Sequence, residues 1–451
     1  MRKTLITLLI LVSLMLPMTA FAQEEEPVTL RVIGFEVVPE ERETRLAQAK
    51  LKVLSDFMEA HPHVTIESLE APPEFDTQLL VDLAAGTAPD IWYQDASTLA
   101  RVVDTGNVVD VRVCLDLVPE LDLDRFTPAF LRIHQPEDDG PIWGLPDGGT
   151  PMVIYYNPES FERAGVEPPQ DGWTWDDLLD IAQRLTLDAE GRNRLDPDFD
   201  EENVVQWGFR VRKWTFEWIY RTWQNGSDVI SPDGTTASGY LDSPESIEAI
   251  TFLRDLALEY GVAPTTTLLD QMVQELGFLT RFLRGDIAMF DRGHWEMVGL
   301  TANSEYTPER VAVVGQPQKT ERATVIYESG WMINAAVQDD PAKLLAACQF
   351  LEAATGQGYQ DTKVYTGLEI SANRFSAEKA VDESEWPEIE RVFVDEAQYG
   401  RRPYGSLYAN WPTVEQILDS MMERILAGED VETEVADAVN EINRELERAT
   451  R

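Results

Sequence analysis

At 451 residues, 43% hydrophobic and 9% aromatic, the chain has length for about three domains or one two-lobed α/β body, and it is too apolar to be disordered. Its 37 Lys and Arg against 81 Asp and Glu give a formal charge of −44, which repels phosphate and excludes nucleic acid and anionic membrane surfaces as partners. Two cysteines and four histidines, without CxxC or HExxH, supply no ligand set for structural zinc or haem, so no metal and no cofactor is expected.

Arg2 and Lys3 precede an apolar run from Leu5 to Leu16, followed by Pro17 and the triplet Ala20, Phe21, Ala22. Such a run is too short to span about 30 Å of hydrocarbon as a helix, and the A-x-A pattern marks residues 1–22 as a cleavable signal peptide. No cysteine follows the cleavage point to carry a lipid. The mature chain is therefore expected in the periplasm or outside the cell, without direct membrane insertion, beginning with a flexible leader over 23–27.

Val28 to Ile33 reads as a strand, and Arg42 to Ala60 as a helix with Leu46, Val53, Leu54, Phe57 and Met58 at helical spacing. A strand over Val64 to Ser68, a helix over Phe75 to Ala85 and a third strand through Ile91, Trp92 and Tyr93 continue a βαβα rhythm, which predicts a mostly parallel sheet covered by helices. Ser243 and Pro244 open a helix that carries Ile247, Ile250, Leu253 and Leu256 and stops at Gly261; Asp340 and Pro341 open another that runs to Ala354 before Gly356. Val435, Val439, Ile442 and Leu446 share one face of the last helix. Export permits a disulfide between Cys114 and Cys348, but the pattern favours Cys348 as a small buried hydrophobe beside Leu344, Leu345 and Leu351.

Asp196, Asp198 and Asp200 alternate like a calcium loop, but Glu201 stands where the turn needs glycine and Trp207 where a bidentate glutamate belongs. A solvated acidic loop is the expectation. There is no GxSxG, no glycine-rich phosphate loop, and no evident nucleophile beside His61, His63, His134 or His294. What stands out is a set of aromatic and acidic residues where strands end and turns begin, drawn from twelve tryptophans. A sugar presents apolar C–H faces and a ring of hydroxyls, so its site needs flat aromatic platforms with carboxylate, amide or guanidinium partners. Any one tryptophan fits a core as well; only the set points to carbohydrate.

Several segments together resemble the extracellular solute-binding proteins of ABC sugar importers, the maltose-binding-protein-like family 1. They are AAGTAPDIWYQD from Ala84, GLPDGGTPMVIYYN from Gly144, SPDGTTASGYLDSPESIEAITFLRDLALEYGVAP from Ser231, FLRGDIAMFDRGHWEM from Phe282 and ESGWMINAAVQDDPAKLLAACQFLEAATGQGYQ from Glu328. The resemblance implies an α/β, two-lobed periplasmic-binding-protein-like fold of class II type with a hinge. Lobe 1 is expected over 28–146 and 312–352, and lobe 2 over 147–311 and 353–451. Crossings are expected near Gly144 to Pro151, near Val311 and near Leu351 to Gly358.

By the same resemblance the ligand contacts are Glu36, Trp92 and Asp95 from lobe 1, Asp147 and Thr150 from the first crossing, and Trp214, Trp295 and Trp331. Arg402, Tyr404 and Tyr408 follow from a late RP-x-x-x-x-Y pattern, although Gly405 and Ser406 stand where a proline is often found. The implied function is capture of a mono- or oligosaccharide between the lobes and delivery to the membrane permease of an ABC importer, by a monomer that performs no chemistry. The alternatives are a secreted glycoside hydrolase or lyase, which needs a carboxylate pair about 5–9.5 Å apart for hydrolysis, or the same fold serving a non-sugar polar solute. A phosphate-bearing solute calls for cations such as Arg402 or Lys213 in the cleft.

Overall fold

The computed structural model describes residues 26–449 apart from 39–41, 43, 138 and 364–366, so the expected signal peptide and residues 23–25 of the leader lie outside it. Strand β1 (Val28–Ile33) buries Val28, Leu30 and Val32 by alternation. The helix that follows, Arg45–Ala60, starts three residues later than its apolar pattern suggests, because the Thr44 side chain accepts a hydrogen bond from Ala47 N at 3.2 Å and caps it there. Strands β2 (Val64–Leu69) and β3 (Ile91–Asp95) then pair in parallel on either side of β1, as the βαβα rhythm requires.

Strand β4 (Leu145–Pro151) is separated by the single residue Met152 from β5 (Val153–Tyr156), which lies in another sheet. Strands β6 (Leu187–Asp188) and β7 (Val204–Gln206) form a small ribbon, while β8 (Met289–Arg292) and β9 (Ala312–Val314) flank β5 antiparallel. The chain returns through β10 (Thr324–Ile333), which lies between β3 and β4 and runs antiparallel to both. Strand β11 (Ile370–Ser371) pairs antiparallel with β4, and β12 (Gly400–Arg401) pairs parallel with the start of β10. The larger sheet thus reads β11-β4-β10-β3-β1-β2, and the second β8-β5-β9. Among the described strands, parallel pairing is confined to β2-β1-β3 and the short β10–β12 contact, a correction to the expectation of mostly parallel sheets. Parallel neighbours need a crossover on the same sheet, and β10 enters the larger sheet straight from the smaller one.

The apolar core forms two clusters that meet across β5, where Ile154 faces one and Val153 and Tyr155 the other. Two of the links between sheets fall at Met152 and over 315–323, close to the first two expected crossings. The third expectation, near Leu351 to Gly358, is corrected. Helix Pro341–Thr355 turns at Gly356 into helix Gln357–Lys363, which packs on Arg45–Ala60, and β11 then joins the larger sheet. Gly356 marks a turn between two helices of one layer, so residues 353–363 and β11 sit with the larger sheet and not with lobe 2. Strand β4 also belongs there and β9 to the smaller sheet, which moves the other two boundaries by a few residues. Helices Trp411–Leu426 and Val431–Ala449 complete the second core through Leu418, Met421, Val435 and Ile442.

Cys348 is fully buried, as its place on the helix predicts, but it is bonded to Cys114, a correction to the free-thiol expectation. The apolar face that buries Cys348 lays its helix on Arg112–Leu117 and brings the two Cα atoms within 5.2 Å, inside disulfide reach. Among the described residues no helix is long and apolar enough to cross a membrane.

Candidate functional site

Strand alternation decides which side chains of β3 reach the space between the two sheets. Tyr93 and Asp95 point one way, Trp92 and Gln94 the other, and Trp92 is fully buried with its indole N–H donating to Gln94 Oε1 at 3.1 Å. On β10, Tyr327, Glu328 and Ser329 reach the same space, and Glu328 pairs with His134 Nε2 at 2.9 Å in full burial. From the other side come Phe216 on helix Thr215–Trp218, Trp295 ahead of helix Glu296–Ala302, and Glu415 on helix Trp411–Leu426. With Ser97, Thr150, Leu368 and Glu369 they enclose a cavity of about 420 Å³. Tyr327 meets Phe216 and Trp295 edge-on, with ring centres 5.8 and 5.9 Å apart, so the three rings form one aromatic corner.

A smaller cavity of about 180 Å³ shares Tyr93, Leu368 and Glu369 with the first and adds Glu36, Asp147, Trp331 and Lys363. The Lys363 ammonium is buried between Asp147 and Glu369, 2.6 Å from Glu369 Oε1, and Tyr93 donates its hydroxyl to the same oxygen at 3.3 Å. Two glycines make this packing possible. A Cβ on Gly148 would lie 2.5 Å from the Glu369 carboxyl, and one on Gly34, whose φ is +114°, would lie 2.8 Å from both Trp331 and Tyr93.

Residues 52–390 match the family model of the bacterial extracellular solute-binding proteins. The chain belongs to that family. The Escherichia coli protein YcjN is 23% identical to this solute-binding protein over 206 residues, covering 46% of this chain and 44% of that one, so the chain spans less than half the length of this curated relative. Among solved structures, the ABC substrate-binding protein Lmo0181 from Listeria monocytogenes, in complex with cycloalternan, superposes with a TM-score of 0.72 at 21% identity, covering 93% of this chain and 99% of that one. UgpB from Mycobacterium tuberculosis, in complex with glycerophosphocholine, gives 0.70 at 15% identity, covering 94% and 99%. The two-lobed fold is thereby shared along nearly the whole described chain.

Of the expected contacts in this solute-binding protein, Asp95, Thr150 and Trp295 line the larger cavity, and Glu36, Asp147 and Trp331 line the smaller. The Asp95 carboxylate is open to the cavity and accepts from Ser97 N at 2.7 Å; Thr150 Oγ1 accepts from His294 N at 2.7 Å, tying β4 to the loop that carries Trp295. Glu36 accepts from Gly34 N at 2.7 Å, and Trp331 is stacked on Phe35 at 4.8 Å. Trp92 is core, because alternation hands its cavity position to Tyr93. Trp214 stands behind the wall, stacked on Phe216 at 5.5 Å with the Arg212 guanidinium 3.3 Å from its ring.

Arg402, Tyr404 and Tyr408 lie away from the larger cavity. Arg402 donates to the Pro136 carbonyl at 2.7 Å, Tyr404 is stacked on Trp411 at 4.5 Å and accepts from Trp223 Nε1 at 2.8 Å, and Tyr408 donates to the Ser231 carbonyl at 3.3 Å. This late segment braces helices instead of lining the main cavity, since the glycine at 405 lets it press directly on Ser97. Tyr93, Phe216, Tyr327, Glu328, Glu369 and Glu415 escape the sequence reading. Only Tyr93 carries a local signal, two residues before Asp95 on one strand.

Burial pushes Glu328 and Glu415 up to about 7, and it does the same to Glu396 beneath Arg322. Each holds a proton in the folded protein that the unfolded chain releases above the ordinary carboxylate value of 4.5, so the stability it contributes is present at acid pH and lost as pH rises toward 7. Burial lowers His294, but Glu390 outweighs it and raises the imidazole above 6.5, which has the same sign. Glu305, held low by its hydrogen bond with Arg284, and Asp188, held low against its burial by hydrogen bonds from the Asp200 and Arg192 backbone, work the other way only in stronger acid. The thermal midpoint is expected to rise from about pH 8 to about pH 5 and to fall below about pH 4. Calorimetric scans across that range check this, and a maximum at pH 8 contradicts it.

Proposed function

We propose that this protein captures a carbohydrate in the larger cavity and delivers it, unchanged, to the membrane permease of an ABC importer. The observation that carries the reading is the origin of the walls: Tyr93, Asp95 and Tyr327 come from the larger sheet, while Phe216, Trp295 and Glu415 come from elements of the second core. A guest that touches both sides favours the closed arrangement over the open one, and binding becomes a hinge equilibrium. Stacking on the aromatic corner with hydroxyls donated to Asp95 and Glu415 suits a polyol, and a micromolar affinity asks for only about 8 kcal/mol. Glu36, Asp147 and Trp331 extend the site for a second ring. The Listeria protein's complex with cycloalternan supports a carbohydrate guest. Export after removal of residues 1–22 and action as a monomer complete the proposal.

Calorimetry against a panel of mono- and oligosaccharides is expected to find a ligand, and solution scattering to find compaction on its addition. Trp295→Ala is expected to weaken that ligand by about 2 kcal/mol, roughly thirtyfold. Absence of any sugar binding, or turnover of chromogenic glycosides, would sink the reading.

A further inference from the structure

The carboxylates around the larger cavity divide by whether a basic side chain sits beside them. Glu369 has the Lys363 ammonium at 2.6 Å, and Glu328 is hydrogen-bonded to the His134 imidazole at 2.9 Å. Glu217 and Glu296, just behind the wall, hold Arg292, whose guanidinium lies 5.6 Å from the Phe216 ring centre. Asp95 and Glu415 have no cationic partner among the described residues. They come from opposite sides, Asp95 at the end of β3 and Glu415 on helix Trp411–Leu426, and each lies within electrostatic reach of Tyr327. Asp76 and Asp419 add further negative charge to the two of them.

The lining carries no cation: among the described residues it includes no Lys, Arg or His, and its donors are neutral, the Ser97, Ser329 and Tyr327 hydroxyls and the Trp295 indole N–H, with the Tyr93 hydroxyl on Glu369 and the Thr150 hydroxyl on the Pro151 carbonyl. Asp95 and Glu415 reach one cavity from opposite walls, and closing it on a neutral polyol dries both acids together, so their mutual repulsion is relieved only by protonation unless a cation joins them. An ammonium removes that repulsion, and the π faces of Phe216, Trp295 and Tyr327 hold it from the side.

We infer that the solute is positively charged, an amino sugar whose ammonium sits between Asp95 and Glu415 and against the aromatic corner. This rests on the carbohydrate reading above and adds charge to it. The test is calorimetry at neutral pH on the whole mature protein with D-glucosamine and deacetylated chitobiose, their N-acetylated counterparts, and choline. N-acetylation deletes the charge and keeps the ring.

The amines are expected to bind about tenfold or more tightly than their acetylated forms. That ratio should shrink to near one in Glu415→Gln and in Asp95→Asn. Equal or tighter binding of the neutral forms overturns the inference and leaves the carbohydrate reading standing. Binding of choline with no sugar, or of nothing in this panel, overturns the amino sugar; the carbohydrate reading falls with it only where the wider panel of mono- and oligosaccharides is silent too. A ratio that survives both substitutions overturns the assignment to these two carboxylates.

Discussion

Replacing Lys363 with methionine is expected to lower the unfolding free energy by about 3–5 kcal/mol, because it strands two carboxylates in the protein interior. Lys363, Asp147 and Glu369 are nearly inaccessible, with side-chain exposures of 4%, 3% and 9%. Burial pulls the ammonium down, but Asp147 and then Glu369 outweigh it and hold it above the ordinary lysine range. Burial pushes Glu369 up, and the Lys363 ammonium is the strongest influence opposing that rise, so removing the lysine lets the carboxyl rise further. The loss should therefore be largest at neutral pH and shrink as the pH falls and protonation relieves Glu369.

Adding Asp147→Asn and Glu369→Gln to Lys363→Met should recover most of the loss, since Gln360 Nε2, 2.8 Å from Asp147 Oδ1, and the Tyr93 hydroxyl both still find an amide oxygen. Urea midpoints for the three proteins at neutral and at acid pH check this. A single variant as stable as the parent at neutral pH would show that the buried charges compensate one another without the lysine. Because Glu369 and Tyr93 also line the larger cavity, Lys363→Met should weaken ligand binding even in the fraction that remains folded.

The same region shows why some of the site was legible in the sequence and some was not. The helices were readable because their signals are local: Ser243 and Asp340 cap where their side chains can reach the next turn, and the period of the apolar residues follows. Asp95 and Trp295 were readable through segments that resemble a family. Trp92 was misplaced although period-two alternation on β3 already sends it away from Asp95. Lys363, Glu369 and Glu415 carry no local signal at all. They gain meaning only when β11 lies beside β4 and when helix Trp411–Leu426 packs across from β3, pairings between residues hundreds of positions apart. Gly356 misled for the related reason that a turn within one layer and a crossing between lobes use the same residue.

Breaking the Cys114–Cys348 bond is expected to cost about 3–5 kcal/mol, a second loss large enough to threaten folding at physiological temperature. The bond closes a segment of 234 residues, most of the chain between the first three strands and the helix Pro341–Thr355, and a loop of that size is where constraint of the unfolded chain is greatest. Neither sulfur is accessible, and neither residue lines the larger cavity. Reductant alone should therefore act slowly on the folded protein, which should show no reactive thiol until denaturant opens it. Urea unfolding with and without reductant should give well-separated midpoints, and the Cys114→Ala, Cys348→Ala variant should match the reduced protein apart from the small void it leaves. Ligand affinity measured well below the midpoint should be unchanged in that variant, because the bond holds two helices of the larger lobe and not the walls of the site. Two titratable thiols in the untreated native protein, or coincident midpoints, would remove the bond from the account of stability.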